Sequence, residues 1–242
     1  MSAAVAGVDG CRGGWLCVIR QADLPFEEQL LVAKTVGEIL SHPRTPQAIA
    51  IDIPIGLPER VSGAERGCDS AARKVLGKRA AAVFSVPART AVYERDYVAA
   101  CAAAFAASEP PRKISKQMFH LFPKIREIDG LMTPALQSRL LECHPEVAFF
   151  LMNGRDSLHE PKKRRGRPHA PGLDYRRALL MAQGYSEDFL RSVSRRVEAG
   201  PDDFLDACAC AWTAARILRG EAIRFPETPP LDARGLRMEI LA

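Results

Sequence analysis

Gln47-Ala48-Ile49-Ala50-Ile51-Asp52-Ile53 is the clearest buried strand in the chain, an apolar run whose single charge, Asp52, lies near its end. Pro54 and Gly56 follow at once and break ladder pairing. Ala4-Val5-Ala6-Gly7-Val8-Asp9 has the same design, a short apolar strand closing on an acid. After Gly10, Gly13 and Gly14, the run Trp15-Leu16-Cys17-Val18-Ile19-Arg20 reads as a second strand, and the short glycine-rich joint predicts a hairpin. Residues 29–34 form a candidate third strand, and Thr35–Leu40 a short helix with Thr35 as its N-cap. A hairpin, a third strand, a crossover helix and a buried strand describe an α/β sheet.

From about residue 56 to 133 the strand signal vanishes. Ala91–Ala107 is alanine-rich and helical, and Ile114, Met118, Leu121, Phe122, Ile125 and Ile128 fall on one helical stripe. These residues read as a helical insertion (56–133) within a single domain, 1–242. Arg139-Leu140-Leu141-Glu142-Cys143 looks like a further strand, followed by a helix that His144-Pro145-Glu146 opens. A basic loop spans 155–172. Helices are expected over 174–183, 186–197 and 202–219, the last with Gly220 at its C-terminus. Gly235–Leu241 is expected to return as an edge strand.

At 47% hydrophobic and 26% charged residues, the composition excludes wholesale disorder, collagen and coiled coil. No apolar run reaches the roughly 18–20 residues of a membrane helix. The N-terminus lacks a basic segment and meets Asp9 too early for a signal peptide. Seven cysteines without a Cys-x-x-Cys pair read as reduced thiols of a cytoplasmic protein. The net charge of +5 is unevenly spread. Lys162-Lys163-Arg164-Arg165-Gly166-Arg167 carries no acid, and residues 60–95 are also strongly basic, so the remainder is mildly acidic. Basic patches beside an acidic site suit a polyanionic substrate handled through metal ions. The plainer alternative is a solvated loop and an ordinary surface.

Asp9 and Asp52 lie in apolar runs, where an unpaired carboxylate is costly. On parallel neighbouring strands, about 4.8 Å apart, both would emerge at the carboxyl edge of the sheet, where α/β proteins place ligands. Two carboxylates this close call for a cation, and oxygen donors select magnesium or manganese. Pro201 suits the first turn of the last helix. Asp202 and Asp203 can then be read as charges at a helix N-terminus. Asp206 lies beyond capping reach. It shares a face with Asp203 and with Ala207, Cys210, Thr213, Ala214 and Ile217, small and apolar enough to lie on a sheet. Glu142, ending its own strand, is a fourth candidate oxygen ligand. For Glu146 a place in the first helical turn is sufficient explanation, and His144 reads as structural.

Gly7-Val8-Asp9-Gly10-Cys11-Arg12-Gly13-Gly14-Trp15, Ile51-Asp52-Ile53-Pro54-Ile55-Gly56-Leu57, Glu142-Cys143-His144-Pro145-Glu146 and Asp202-Asp203-Phe204-Leu205-Asp206-Ala207 resemble, in order and spacing, the domain-of-unknown-function family numbered 429. Arg66-Gly67-Cys68-Asp69 and the Gly-Leu pair near 235 extend the resemblance over nearly the whole chain. Members are described as predicted nucleases with a ribonuclease H-like fold. The resemblance implies a mixed sheet of order 3-2-1-4-5 flanked by helices, with the helical insertion after the fourth strand. The helix Asp203-x-x-Asp206-Ala is also similar to the last catalytic helix of the bacterial Holliday-junction resolvases. That likeness implies Asp9, Asp52 and Asp206 as metal ligands with Asp203 beside them. Where the resolvases carry a glutamate on the fourth strand this chain has the shorter Asp52, and Glu142 is placed to compensate. Dimers are frequent among such cutters, so the likeness also implies a homodimer.

The expectation is a metal-dependent nuclease on DNA or RNA, using Mg2+ or Mn2+ in a two-ion mechanism. Asp9 would bridge the ions, with Asp52, Glu142 and Asp206 completing the shells and Asp203 assisting. Arg12, Arg73 and Arg89 are candidates for phosphate contact, as are Lys162, Lys163, Arg164, Arg165 and Arg167 of the basic loop. Arg165-Gly166-Arg167-Pro168 also contains the core of a minor-groove hook. Two alternatives stand beside the nuclease. One is a non-catalytic module that binds nucleic acid or a partner. The other is an actin-like phosphotransferase, for which a second glycine-rich phosphate loop is missing.

Overall fold

The computed structural model describes residues 3–25, 27–63, 65–192 and 199–242. In chain order the principal elements are β1 (Ala4–Cys11), β2 (Gly14–Gln21), β3 (Gln29–Ala33), α1 (Val36–Leu40), β4 (Ala48–Ile51), α2 (Gly67–Leu76), α3 (Arg89–Tyr93), α4 (Tyr97–Ala106) and α5 (Lys116–Leu131). They continue with β5 (Leu140–Glu142), α6 (Pro145–Met152), α7 (Ala170–Ala182), α8 (Glu187–Arg191) and α9 (Pro201–Leu218). The chain divides into two compact units. One comprises Met1–Asp52, Arg139–Ile223 and Leu241–Ala242, the other Ile53–Ser138 and Arg224–Ile240.

The first unit holds a five-stranded sheet of order β3-β2-β1-β4-β5. β1 pairs antiparallel with β2 and parallel with β4, β2 antiparallel with β3, and β4 parallel with β5. Order and directions are those the ribonuclease H-like resemblance implies. Cys11 opposite Gly14 leaves Arg12-Gly13 as a two-residue turn, the expected hairpin. Gly14 is required there: its φ is +135°, and a Cβ would stand 2.2 Å from the Ala33 carbonyl oxygen. Ala48, Ile49, Ala50 and Ile51 are all buried, so β4 shows the continuous apolar run of a strand covered on both faces.

Helix α9 is buried almost all round, from Phe204 to Ala215, as its lack of a polar face requires. One side packs Cys210, Ala214 and Ala215 with Val5, Ala48, Ala50 and Cys143. Phe204, Leu205, Ala207, Cys208 and Trp212 join a second cluster with Leu16, Val18, Phe149, Leu173 and Leu180. Gly200 is the N-cap, Pro201 opens the helix, and Gly220 just beyond the C-cap Arg219 has φ +70°. α7 starts at Ala170, before the expected 174, with Pro171 in its first turn. The helix expected over 186–197 appears as α8, capped by Ser186. Residues 193–197 of that expectation lie outside the described residues. The basic loop contains a small hairpin, Lys163–Arg164 against Arg167–Pro168, turned by Arg165 (φ 52°) and Gly166 (φ 75°). At the chain end Leu241 forms a parallel bridge to Cys143, and the strand there is Ile240–Leu241.

The second unit carries the helices expected over 56–133, but it runs from Ile53 to Ser138 and includes Arg224–Ile240. The single helix expected over Ala91–Ala107 is two, α3 and α4. Asp96 interrupts it, accepting from the Val98 and Ala99 amides at 2.9 Å and so starting a new helix instead of continuing the old one. Met118, Phe122, Ile125 and Ile128 form the buried stripe of α5. Val61–Ser62 and Ser108–Glu109 add a short parallel pair. Among the described residues no helix is long and apolar enough to cross a membrane.

Candidate metal centre

The register of β1 and β4 sets Val8 beside Ile51. The Asp52 amide donates to the Val8 carbonyl at 2.9 Å, so Asp9 and Asp52 are the next residues of adjacent parallel strands. Alternation turns both to one face of the sheet, the face of Gly7. Helix α9 lies on that face so closely that a Cβ on Gly7 would stand 2.0 Å from the Ala211 nitrogen and 2.1 Å from the Ala207 oxygen. This approach, made at the turn after Asp206, brings the third acid in. One oxygen each from Asp9, Asp52 and Asp206 lie within 4.8 Å of one another. Asp9 and Asp206 are buried, and Asp52 is partly exposed.

The other expected ligands are placed elsewhere. Glu142 stands in the row of Val8 and Ile51, since Ile51 pairs with it. Alternation therefore sends it to the opposite face from Asp52, and the row of Asp52 continues into Cys143, whose amide donates to Ile51 at 2.9 Å. The expectation of Glu142 as a ligand was one residue out of register, and Glu142 is not in the three-acid group. Asp203 accepts from the Gly200 amide at 2.9 Å, which closes the start of α9. Its carboxylate serves the helix end and is also outside that group.

Two cations enter the picture. Lys162 forms an ion pair with Asp206 Oδ2, so it belongs to the acidic cluster and not to the exposed basic surface. Arg176, fully buried on α7, meets buried Glu146 at 2.5 Å. Glu146 does lie in the first turn of α6, as expected, but its pairing and Arg176 escaped the sequence reading. The available signal was an acid inside the apolar run Pro145–Met152, the same argument that identified Asp9. Removing Arg176 strands a buried carboxylate. Arg176→Met is expected to cost about 3–5 kcal/mol, read as a lowered urea midpoint, with most of the loss recovered in the double variant with Glu146→Gln. Equal destabilisation of single and double variants would deny the pairing its role.

The electrostatics are those of crowded like charges. Burial, then the fields of Asp52, Asp206 and Asp203, hold Asp9 well above the ordinary carboxylate range, against the pull of Lys162. Burial, with Asp206, Glu142 and Glu146, pushes Asp52 up to about 8. Burial raises Asp206 to about 6 although Lys162 opposes it. Lys162 loses by burial but gains more from Asp206, Glu146 and Asp9, and stays charged. In the metal-free chain these acids favour folding while protonated. Their contribution is complete below the unfolded carboxylate pKa near 4 and is lost as pH rises through about 6 to 8. The unfolding temperature in chelator is therefore expected to fall over that window. Manganese at a hundred times its Kd is expected to restore about 2.7 kcal/mol, on the order of 5–10 °C at this chain length. A flat profile in chelator would contradict this account.

The donor set fits a hard divalent cation. All three close groups are carboxylates, and Asp206 Oδ1 is buried with no hydrogen-bond partner among the described residues. Such an atom is expensive unless something else satisfies it.

The remaining basic candidates divide. Arg12 is exposed in the turn two residues beyond the strand row that follows Asp9. In the hairpin, Lys163 pairs with buried Asp202 at 2.6 Å and Arg164 with Glu160 at 3.0 Å, while Arg165 and Arg167 are exposed. In the second unit, Arg73 pairs with Glu65 at 2.6 Å and donates to the Ala80 and Val83 carbonyls. Arg89 binds both oxygens of Asp129 at 2.6 and 2.8 Å, Asp232 at 2.5 Å and Glu59 at 3.0 Å. Both guanidiniums hold segments of that unit together.

The chain matches no curated protein, and it matches no solved structure. A family model matches residues 7–231, from the strand of Asp9 to beyond the helix of Asp206, and the chain therefore belongs to the family described as protein of unknown function (DUF429).

Proposed function

We propose that the protein is a metal-dependent phosphodiesterase acting on nucleic acid, with Asp9, Asp52 and Asp206 as the ligands of Mg2+ or Mn2+. The observation that carries this reading is the convergence of the three carboxylates within 4.8 Å, with one buried Asp206 oxygen unsatisfied by any described residue. Structural acids rarely take such an arrangement, because each raises the cost of ionising the others. A bound divalent ion supplies activation of the attacking water and stabilisation of the leaving oxygen. The protein's part is to hold the donors rigidly, two on strand ends and one on a fully packed helix. Asp9 is braced further by the Gly10 amide, which donates to its Oδ1 at 2.6 Å.

Arg12, Arg165 and Arg167, all exposed on this unit, would meet the phosphates, and the hairpin containing the last two would supply salt-dependent affinity. The type I′ geometry at Arg165-Gly166 bends the Arg-Gly-Arg-Pro stretch into a turn, which favours phosphate contact over an extended minor-groove hook. One observation favours a second reading: the Lys162–Asp206 pair could balance the acids without any metal. The protein would then be a non-catalytic binder of nucleic acid.

Labelled single-stranded, duplex and branched DNA and RNA, incubated with the full chain and manganese, separate the two. Metal-dependent cleavage abolished by chelator supports the phosphodiesterase. Salt-sensitive binding unchanged by chelator, with no cleavage, supports the binder.

A further inference from the structure

We infer that the centre takes one divalent cation, and that the Lys162 ammonium permanently fills the place a second cation would hold. This deepens the metal-centre reading and rests on it. Two-ion sites hold their ions about 3.5–4 Å apart and need oxygen donors on both flanks of a shared carboxylate. Here the Asp206 side of a second flank is already committed. Asp206 Oδ2 is taken by Lys162, while Oδ1 of the same carboxylate is buried and has no partner among the described residues. One carboxylate thus has an oxygen for an ammonium and an oxygen for a metal. Glu146, the next acid whose field reaches Asp206 and Lys162, is held by Arg176 at 2.5 Å. Glu142, the other acid near Asp52, belongs to the opposite face of the sheet.

Lys162 is a placed residue, not a passing surface lysine. Its own carbonyl accepts from the His169 amide at 2.9 Å across the base of the hairpin. The preceding Glu160 carbonyl accepts from the Arg176 guanidinium at 3.1 Å. The Pro161 carbonyl oxygen sits where Gly172 alone can admit it, 2.0 Å from where a Cβ would be. Three successive residues are thus pinned to α7 or to His169 at its N-cap, and Arg176 both pins this segment and holds Glu146.

The test is manganese titration of the full chain by calorimetry at about pH 8, with the electron paramagnetic resonance spectrum of the saturated protein. Wild type is expected to bind one equivalent and give the spectrum of an isolated ion. Lys162→Met is expected to admit a second equivalent with a spin-coupled spectrum, and Lys162→Arg to stay at one. Two coupled ions in wild type would overturn the inference and leave the metal-dependent reading standing. No binding in wild type would overturn both. Lys162→Met folded, as judged by its unfolding transition, but still at one equivalent would remove Lys162 from the explanation. If Lys162→Met does not fold, the wild-type stoichiometry and spectrum still decide the first half of the inference, and Lys162→Arg the second: a second equivalent in that charge-retaining variant overturns it.

Discussion

Asp9→Asn is expected to lower manganese affinity at least about 100-fold, the upper range that loss of a mere supporting partner costs. Cleavage is expected to drop on the order of 10³-fold or more, since the variant loses a means of stabilising developing charge. The same substitution is expected to raise the unfolding temperature in chelator near pH 8. Asparagine keeps the oxygen that accepts from Gly10 but removes one of the carboxylates that repel Asp52 and Asp206. The opposed signs are the point of the experiment. A structural acid loses stability when neutralised, whereas a binding group held in unfavourable company gains it. Calorimetry and thermal unfolding on one preparation decide the matter, and a destabilised variant with unchanged metal binding would end the proposal for Asp9.

Gly7→Ala is expected to destabilise the protein by about 3 kcal/mol or more, at the upper end of overpacking effects. The new methyl would stand 2.0 Å from the Ala211 nitrogen and 2.1 Å from the Ala207 oxygen, where contacts under 3.0 Å are essentially never tolerated. Both clashing atoms are helix backbone, so no rotamer can give way. α9 must retreat by at least about 1 Å to reach that limit. Displacements of this size in a catalytic centre can cost about 10²-fold, and Asp206 rides on the retreating helix. Metal affinity is therefore expected to fall even under conditions where the variant is folded. Denaturant unfolding and calorimetry check both effects. A variant as stable as wild type would mean that α9 does not rest on β1 as described.

Much of this was legible in residue order. Apolar runs closing on Asp9 and Asp52 identify the central strands because burial penalises a charge anywhere but at the end. The hairpin at the glycine-rich joint and Gly220 at the end of α9 are local chemistry and read correctly, although the strands run closer to the turn than expected. The division of Ala91–Ala107 at Asp96 was missed because alanine content masked a capping side chain, although the signal is local. Glu142 was misplaced for a different reason. A strand in isolation does not reveal its register against a neighbour, and a shift of one residue reverses the face.

Chemical type and linear spacing were enough to name the three converging acids, the α/β sheet and the helix that closes on it, because periodicity, turn preference and the cost of charge in apolar surroundings all act over a few residues, while the strand order came from the family resemblance. Pairings across long separations needed the folded chain. Lys162 reaches Asp206 across 44 residues, and Glu146 finds Arg176 across 30. The apolar run around Glu146 signals a buried acid but not its partner, and Lys162 leaves no local trace at all, since a lysine that balances a buried site and one that floats in solvent have the same flanking sequence. Strand alignment and helix packing set which charges meet, and therefore whether a cluster of acids is balanced by a proton, an ammonium or a metal.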